Sequence, residues 1–279
     1  MSNNKYQKMY DFTGQTIFIT GGGGVICGAM AAGLIECGAN VAVSDHNLAA
    51  AQKIVDSFER TPGMGKALAV QANVLDTESM TAAVETTLAE FGKIDGLING
   101  AGGNKPAATT SPEKRFFDLP ADAIRAVLDL NLLGTIIPCQ IIGRHMAERD
   151  QGVILNVSSM NSFRPLTLIP AYSAAKAGVS NFTQWLAVHM AQEYSSNIRV
   201  NAIAPGFLIT EQNRFLMTDA ETGRPTARGQ KVLDHTPMGR YQVPEDMVGP
   251  TLWLLSPASA LVTGIVVPVD GGFSAYSGV

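Results

Sequence analysis

The chain has 279 residues and a formal net charge of −4, and its few lysines and arginines are scattered, which argues against a nucleic-acid-binding surface. Only 16% of the residues are charged, against roughly 25% in an average domain, and this deficit predicts self-association. Cys27, Cys37 and Cys139 lack metal-ligand spacing and fit reduced, buried thiols, so no catalytic metal is expected. A polar start and the lack of an apolar run of about 18–20 residues predict a cytoplasmic protein without a membrane span.

Short apolar strands alternate with helices along the chain. Strands are predicted at residues 15–20, 40–44, 67–70, 94–99, 153–157, 199–204 and 265–269, and helices at 26–37, 48–58, 77–91, 121–133, 136–149, 172–193 and 244–255. Apolar strands separated by helices indicate a parallel sheet that is covered on both faces. The sequence therefore predicts an α/β fold, a single Rossmann-like doubly wound domain over residues 1–279. Residues 207–241 are polar and poorly periodic, and we expect them to form an inserted substrate lid.

The first predicted strand runs into four consecutive glycines, Gly21 to Gly24. Glycines at this point let the backbone approach a pyrophosphate at a helix N-terminus, although such a run can also be a flexible turn. Asp45 ends the second strand, where a carboxylate can accept hydrogen bonds from an adenosine ribose and repel a 2′-phosphate. The alternative for Asp45 is a cap for the helix that begins at Leu48. The turn and the carboxylate together predict NAD as the cofactor.

Tyr172 and Lys176 lie four residues apart, which places them on one face of a helix. A phenol has an ordinary pKa of ~10, and a fixed cation beside it favours the phenolate and lowers that pKa. The pair is therefore predicted to be a general acid/base that passes a proton to or from a carbinol oxygen. The alternative is an aromatic residue and a solvated lysine that share a helix face.

In this order, the motifs resemble the classical short-chain dehydrogenase/reductase family over essentially the whole chain. Further motifs of the family are Asn73-Val74, Asn99-Gly100-Ala101-Gly102, Ser159 thirteen residues before Tyr172, and Pro205-Gly206 followed by Thr210. The resemblance implies catalytic roles for Asn131, Ser159, Tyr172 and Lys176. Ser159 would bind the substrate oxygen, and Asn131 would hold a water that relays protons to Lys176. It also implies NAD binding by Gly21, Gly24, Val25, Ile26, Asp45, Asn73, Val74, Asn99, Ala101, Gly102, Tyr172, Lys176, Pro205, Gly206 and Thr210.

Two of these roles have a structural alternative, and one motif departs from the family. Asn131 has the alternative of a buried residue at a helix kink, and Ser159 that of a strand-end cap. The usual first turn of the family, Thr-Gly-x-x-x-Gly-x-Gly, would place its second and third glycines on Val25 and Cys27. We therefore expect dinucleotide binding with altered contacts at the diphosphate and between the helix and the strand.

A narrower resemblance is to D-mannonate oxidoreductases (fructuronate reductases). It rests on residues 20–28, 103–106, 159–165, 211–214 and 271–278. It implies an NAD(H)-dependent interconversion of D-mannonate and D-fructuronate. Binding of a sugar acid needs a cation for the carboxylate and amides for the hydroxyls. The expected substrate-binding residues are Asn104, Lys105, Asn161, Arg164, Gln212, Asn213 and Arg214. The alternative for each is a loop-stabilising or solvated side chain.

Three other functions remain open at this point: the same chemistry on a neutral sugar or polyol, reduction of a 3-oxoacyl thioester, and a redox-inactive dinucleotide-binding sensor. The many polar loop residues argue against a long acyl chain, and the complete set of Ser159, Tyr172 and Lys176 argues against a sensor. The expected partners are a small-molecule substrate and further copies of the chain. The low charged fraction and the apolar strand and tail from Ile265 to Val279 predict a homo-oligomer, and the family resemblance implies a homotetramer.

Overall fold

The computed structural model describes residues 5–59, 61–210 and 214–278. Its strands are β1 Thr16–Thr20, β2 Asn40–Asp45, β3 Ala67–Gln71, β4 Gly96–Asn99, β5 Gly152–Val157, β6 Ile198–Pro205 and β7 Val266–Val269. They form one sheet in the order β3-β2-β1-β4-β5-β6-β7, and every neighbouring pair is parallel. The predicted α/β, Rossmann-like fold is therefore confirmed.

Helices connect these strands. They are α1 Val25–Glu36, α2 Leu48–Asp56, α3 Thr77–Phe91, α4 Ala121–Leu128, α5 Gly134–Glu148, α6 Pro170–Glu193, α7 Arg214–Met217, α8 Ala227–Asp234 and α9 Val248–Leu255. Most predicted boundaries agree within two residues, but the last predicted helix starts as a 3₁₀ turn, Pro244–Met247. The fourth strand also begins two residues later than predicted. Ile94 N donates to His145 Nε2 and Ile94 O accepts from Arg149 Nη1, so side chains satisfy the backbone of Ile94, whereas Asp95 N donates to Thr16 O of β1.

The side chains of β1 alternate between two apolar cores, one on each face of the sheet. Ile17 and Ile19 pack in a cluster with Leu34 of α1, whereas Phe18 packs on the opposite face with Ile142 of α5. All five are nearly or fully buried. Burial of one such side chain contributes about 1.5–3 kcal/mol. Because both faces of the sheet are packed, the strand ends hold the loops that follow them in fixed positions.

Between α4 and α5, Asp129–Leu133 form a turn of π-helix, where the sequence had predicted the end of one helix and a short break. The three pieces make one long helix, Ala121–Glu148, which by length and composition alone could cross a membrane. The sequence analysis expected no such segment. The helix packs against α3 and α6, and 44% of its apolar window is buried. A core helix passes the same test, so the match is weak evidence for a span.

The strand order reverses beside β1, which lies between β2 and β4. In doubly wound folds, ligands bind at the carboxyl edge of the sheet where the order reverses. The loops after β1, β2, β4 and β5 meet at this edge and carry the glycine turn, Asp45, Gly100 and Ser159. The predicted lid, residues 207–241, follows β6, and its described part contains α7 and α8.

Candidate active site

The end of β5 and the start of α6 bring Ser159, Tyr172 and Lys176 together. Ser159 Oγ accepts from Asn161 N at 3.3 Å and so caps the short 3₁₀ turn Met160–Ser162. Tyr172 and Lys176 both lie on α6, and Lys176 Nζ lies 5.7 Å from the centroid of the Tyr172 ring. Ser159 is therefore a cap, as the alternative had it, and also a member of the predicted catalytic cluster.

Burial shifts the pKa values of two side chains in the cluster. Burial raises the pKa of Tyr172 above its ordinary value, and the hydrogen bond with Ser159 acts in the opposite direction. Burial also lowers the pKa of Lys176 to about 8, and Lys176 Nζ donates to Val157 O at 2.7 Å. For Tyr172, burial is the larger of the two causes, and the lowering of its pKa by Lys176 stays a prediction. The phenol keeps its proton at neutral pH and is ready to donate it.

Asn131 lies in the π turn and is fully buried. Its Nδ2 donates to Gly103 O at 2.7 Å and to Val127 O at 2.8 Å, and its Oδ1 accepts from Gly103 N at 3.0 Å. Asn131 is thus a residue at a helix irregularity that also ties the helix to the loop after β4. A Cβ added at Gly102 would lie 2.7 Å from Asn131 Oδ1 and 3.2 Å from Lys176 Nζ. Asn131 and Lys176 therefore border the same small space, while the predicted water relay stays a prediction.

The glycine turn after β1 has the shape that a dinucleotide needs. Gly21 adopts a φ of +65°, and a Cβ there would lie 2.8 Å from the backbone of Ala101, so the turn requires glycine at this residue. Gly24 is the N-cap of α1, and within the described ranges no side chain caps this helix start. Val25 follows with half of its surface exposed. Backbone N–H groups left open at a helix start bind anions. Gly24 N donates to Gly21 O at 3.1 Å, so Val25 and Ile26 are the predicted residues whose N–H groups fit a diphosphate.

Cys27 stands where the family turn usually has its last glycine. A Cβ at Gly100 would overlap Cys27 Sγ, so the glycine in the loop after β4 leaves room for the thiol on α1. Burial raises the pKa of Cys27 to about 12. The expected change in helix–strand packing is therefore present, and the thiol is a packing group rather than a nucleophile. Cys37 and Cys139 are also free thiols, although Cys37 is only half-buried.

Asp45 ends β2 beside the glycine turn. Its Oδ2 accepts from Gly23 N at 3.1 Å, and its Oδ1 accepts from Asn47 N at 3.0 Å. Asn47, not Asp45, caps α2, so the capping alternative is wrong. His46 Nδ1 lies 3.0 Å from Asp45 Oδ1. The contact of His46 with Asp45 was not predicted from the sequence, where its only sign is that the two residues are adjacent.

The other predicted cofactor residues lie at the same edge of the sheet but differ in burial. Asn99 is 1% exposed and donates to Asn156 Oδ1 at 2.9 Å, so its side chain braces β4 against β5. Val74 is also buried, whereas Asn73 Oδ1 accepts from Leu75 N in its own loop. The remaining members lie at the end of β6 or in loops that follow strands: Ala101, Gly102, Pro205, Gly206 and Thr210. Their contacts with a cofactor stay predictions.

The predicted substrate residues lie in separate loops, and several already have partners. Asn104 Nδ2 donates to Thr109 Oγ1 at 2.8 Å, and the buried Asn161 accepts from Leu166 N at 3.0 Å. Arg164 is exposed, and its Nε donates to Ser274 O at 3.3 Å, while its terminal nitrogens have no partner in the described part of the chain. The remaining predicted residues are the exposed Lys105 and Arg214, and Gln212 and Asn213, which lie outside the described residues.

Sequence reasoning missed two polar residues that hold the frame of the site. Thr20 Oγ1 accepts from Gly100 N at 3.2 Å and from Ala101 N at 3.3 Å, which fixes the loop after β4. Asn156 donates to Thr183 Oγ1 at 2.9 Å and so links β5 to α6. A polar residue within a fully buried strand needs a partner, and that was the available signal.

Residues 15–221 match the family model of short chain dehydrogenases. The chain is also 46% identical to an uncharacterized oxidoreductase of Haemophilus influenzae, over 97% of this chain and 96% of the relative. The chain belongs to the short-chain dehydrogenase family. It is therefore an oxidoreductase that acts on a CH–OH group.

Two solved structures of short-chain dehydrogenases are similar over nearly their whole length. A Haemophilus influenzae protein described as a D-mannonate oxidoreductase, with bound NAD, is 45% identical with a TM-score of 0.89, covering 99% of this chain and 100% of that one. A gluconate 5-dehydrogenase from Burkholderia cenocepacia, in complex with NADP and tartrate, is 29% identical with a TM-score of 0.84, covering 97% and 99%. Family membership alone therefore leaves the choice between NAD and NADP open.

Proposed function

We propose that this short-chain dehydrogenase interconverts D-mannonate and D-fructuronate with NAD(H). The observation that carries the proposal is Arg164, which lies in the loop between Ser159 and Tyr172 with its terminal nitrogens unpartnered within the described residues. A planar guanidinium binds a carboxylate through two parallel hydrogen bonds. The similarity to the Haemophilus influenzae protein described as a D-mannonate oxidoreductase supports the same substrate.

In the reducing direction, Tyr172 donates its proton to the carbonyl oxygen as the alkoxide develops, and Ser159 donates a hydrogen bond to the same oxygen. The raised pKa of Tyr172 suits this role, because the phenol is protonated at neutral pH. When bound, the dinucleotide supplies the hydride. Lys176 binds the nicotinamide ribose, and Asn131 holds a water that passes protons to Lys176. Asp45, beside the glycine turn, binds the adenosine ribose and selects NAD.

A screen of substrates tests this function directly. NADH and NADPH oxidation is followed with a panel of keto sugar acids, neutral ketoses and a 3-oxoacyl thioester, and NAD and NADP reduction with sugar acids and polyols. We expect the sugar acids to give the highest kcat/KM. Faster turnover of a neutral ketose, a polyol or the thioester would replace the proposed substrate, and turnover of none would favour a redox-inactive sensor.

The substitution Arg164→Lys should raise KM for a keto sugar acid far more than for a matched neutral ketose. Lysine keeps the charge but cannot form the two parallel hydrogen bonds of a guanidinium. Losing a charge-assisted hydrogen bond costs roughly 1.5–3 kcal/mol, which is about a ten- to hundredfold loss in kcat/KM. Steady-state kinetics on both substrates measure the difference.

Arg144→Lys is the matched control, because Arg144 is an exposed arginine of α5 that lies beside His145, near the amino end of β4. It should leave both substrates unaffected. If Arg164→Lys lowered kcat/KM equally for the acid and the neutral ketose, Arg164 would only stabilise its loop. Arg214 would then be the candidate that binds the carboxylate. If Arg214→Lys then also penalised both substrates alike, the sugar-acid assignment would fail.

We also propose that the enzyme is a homotetramer. Trp185 and Val188 of α6 are each 56% exposed, and Trp185 borders a groove of about 1120 Å³ between α5 and α6. At a second place, β7 forms an edge of the sheet, near the fully exposed Leu261. Two separate self-complementary surfaces produce a tetramer with closed symmetry.

Sedimentation at micromolar concentration tests the assembly, and we expect four times the mass of one chain. Trp185→Glu should place a charge in the α5–α6 surface and yield a dimer, whereas Glu148→Gln, at the edge of the same groove, should not. A single-chain mass for the unmodified protein would contradict the tetramer. An unchanged tetramer in Trp185→Glu would remove this surface from the assembly.

A further inference from the structure

The C-terminal tail, residues 270–278, contacts the lid near both of its ends. The ring of Phe273 lies 5.2 Å from Phe207, where the lid begins, and 6.3 Å from His235, close to where it ends. His235 also lies 6.1 Å from Tyr276 in an edge-to-face contact. One aromatic side chain of the tail therefore joins two lid residues that are far apart in sequence.

The tail is held in a defined turn by its first residue. Asp270 follows β7 and accepts from Gly272 N and Ser274 N, both at 2.9 Å, through its two carboxylate oxygens. Met238 N, in the last part of the lid, donates to Gly271 O at 3.1 Å. These bonds fix the position of Phe273 relative to β7. The contacts of Phe273 with the lid therefore hold the lid in a fixed position relative to the sheet.

The same turn of the tail contacts the loop between Ser159 and Tyr172. Arg164 Nε donates to Ser274 O at 3.3 Å, across 110 residues of sequence. This bond uses one nitrogen of the guanidinium and leaves the two terminal nitrogens for a ligand. The residue after Phe273 thus orients the side chain to which we assign the substrate carboxylate.

From this geometry we propose that Phe273 is a positioning residue for substrate binding, which holds the lid and, through Ser274, the guanidinium of Arg164. The proposal rests on the proposed function for the nature of the substrate. In this proposal the tail affects binding of the sugar acid, and it takes no part in the chemical step or in the binding of the dinucleotide at the first turn. We therefore expect substitution of Phe273 to change KM for the sugar acid, with little change in kcat or in the affinity for NADH.

The test uses Phe273→Ala in the full-length enzyme. Each aromatic contact of Phe273 stabilises the lid position modestly. Loss of both contacts should raise KM for D-fructuronate about tenfold, while kcat and the Kd of NADH stay within about threefold of wild type. Phe117→Ala is the matched control, because Phe117 is 92% exposed and contacts only Phe116 among the ring pairs of the described residues. Phe117→Ala should leave all three quantities unchanged.

Two further measurements separate positioning from a general loss of structure. With NADH bound, trypsin should cut Phe273→Ala faster than wild type after Arg228 or Lys231 of the lid, as mapped by mass spectrometry. Adding Arg164→Lys to Phe273→Ala should cost less in kcat/KM than Arg164→Lys alone, because a misplaced guanidinium has already lost part of its contact. If Phe273→Ala does not fold, Phe273→Leu is tested by the same readouts.

Unchanged lid cleavage together with an unchanged KM would overturn the proposal. A parallel loss of NADH affinity and thermal stability would also overturn it, because that pattern indicates a purely structural residue. The cleavage experiment needs no substrate. Failure to turn over any sugar acid would therefore defeat the proposed function while the trypsin result still decided the role of Phe273 in the lid.

Discussion

Tyr172→Phe should lose about 10²–10⁴-fold in kcat, the range that a general acid/base supplies, while the affinity for NADH stays the same. The substitution removes only the hydroxyl and keeps the ring beside Lys176. The free enzyme holds this phenol protonated, so its removal takes away the proton donor for the developing alkoxide. Steady-state kinetics with a keto sugar acid and fluorescence titration with NADH measure the two quantities.

Tyr194→Phe is the matched control for this experiment. Tyr194 directly follows α6 at the end opposite Tyr172 and is 56% exposed. Its substitution should change neither kcat nor NADH affinity. Near-wild-type kcat in Tyr172→Phe, with NADH affinity intact, would remove Tyr172 from the mechanism.

The second large effect concerns the choice of cofactor at Asp45. The wild-type enzyme should use NADH with a kcat/KM about 100-fold above that for NADPH, because placing two like charges together costs several kcal/mol. Asp45→Asn removes the charge but keeps an oxygen for Gly23 N, so it should bring the two values to within about tenfold. The ratio of kcat/KM values for the two cofactors is the measurement.

Asp56→Asn is the matched control, since Asp56 is an exposed carboxylate at the end of α2 that accepts a hydrogen bond from Gln52. It should leave the cofactor ratio unchanged. A wild-type preference for NADPH would show that the Asp45 carboxylate does not face the ribose. A ratio unaltered by Asp45→Asn would assign the selectivity to another residue.

Much of the fold followed from the sequence because the strands are short and apolar and the helices are bounded by clear breaks. The π turn around Asn131 did not, because its cause is tertiary: the amide of Asn131 bonds to Gly103 in a loop distant in sequence. Apolar residues recur at helical spacing both before and after that turn. No local sequence pattern therefore marks the change from α-helix to π-helix.

The juxtaposition of Ser159, Tyr172 and Lys176 was predictable because the family resemblance fixes their order and spacing along the chain, while their catalytic roles stay predictions. The raised pKa of Tyr172 was not, because burial is its main cause and the sequence does not give the degree of burial. The contact of Arg164 with Ser274 was also beyond the sequence. The tail has no periodicity, and its partners are set by where β7 ends.

The central claim is that the enzyme reduces a keto sugar acid at the Tyr172 site, and the comparison of D-fructuronate with D-fructose tests it most directly. The two compounds share the ketone and differ by a carboxylate, so kcat/KM with NADH isolates the contribution of the charge. We predict a value for D-fructuronate at least about tenfold above that for D-fructose, in line with a charge-assisted hydrogen bond, and its loss in Tyr172→Phe. An equal or higher kcat/KM for D-fructose, or no NADH oxidation with D-fructuronate, would contradict the claim.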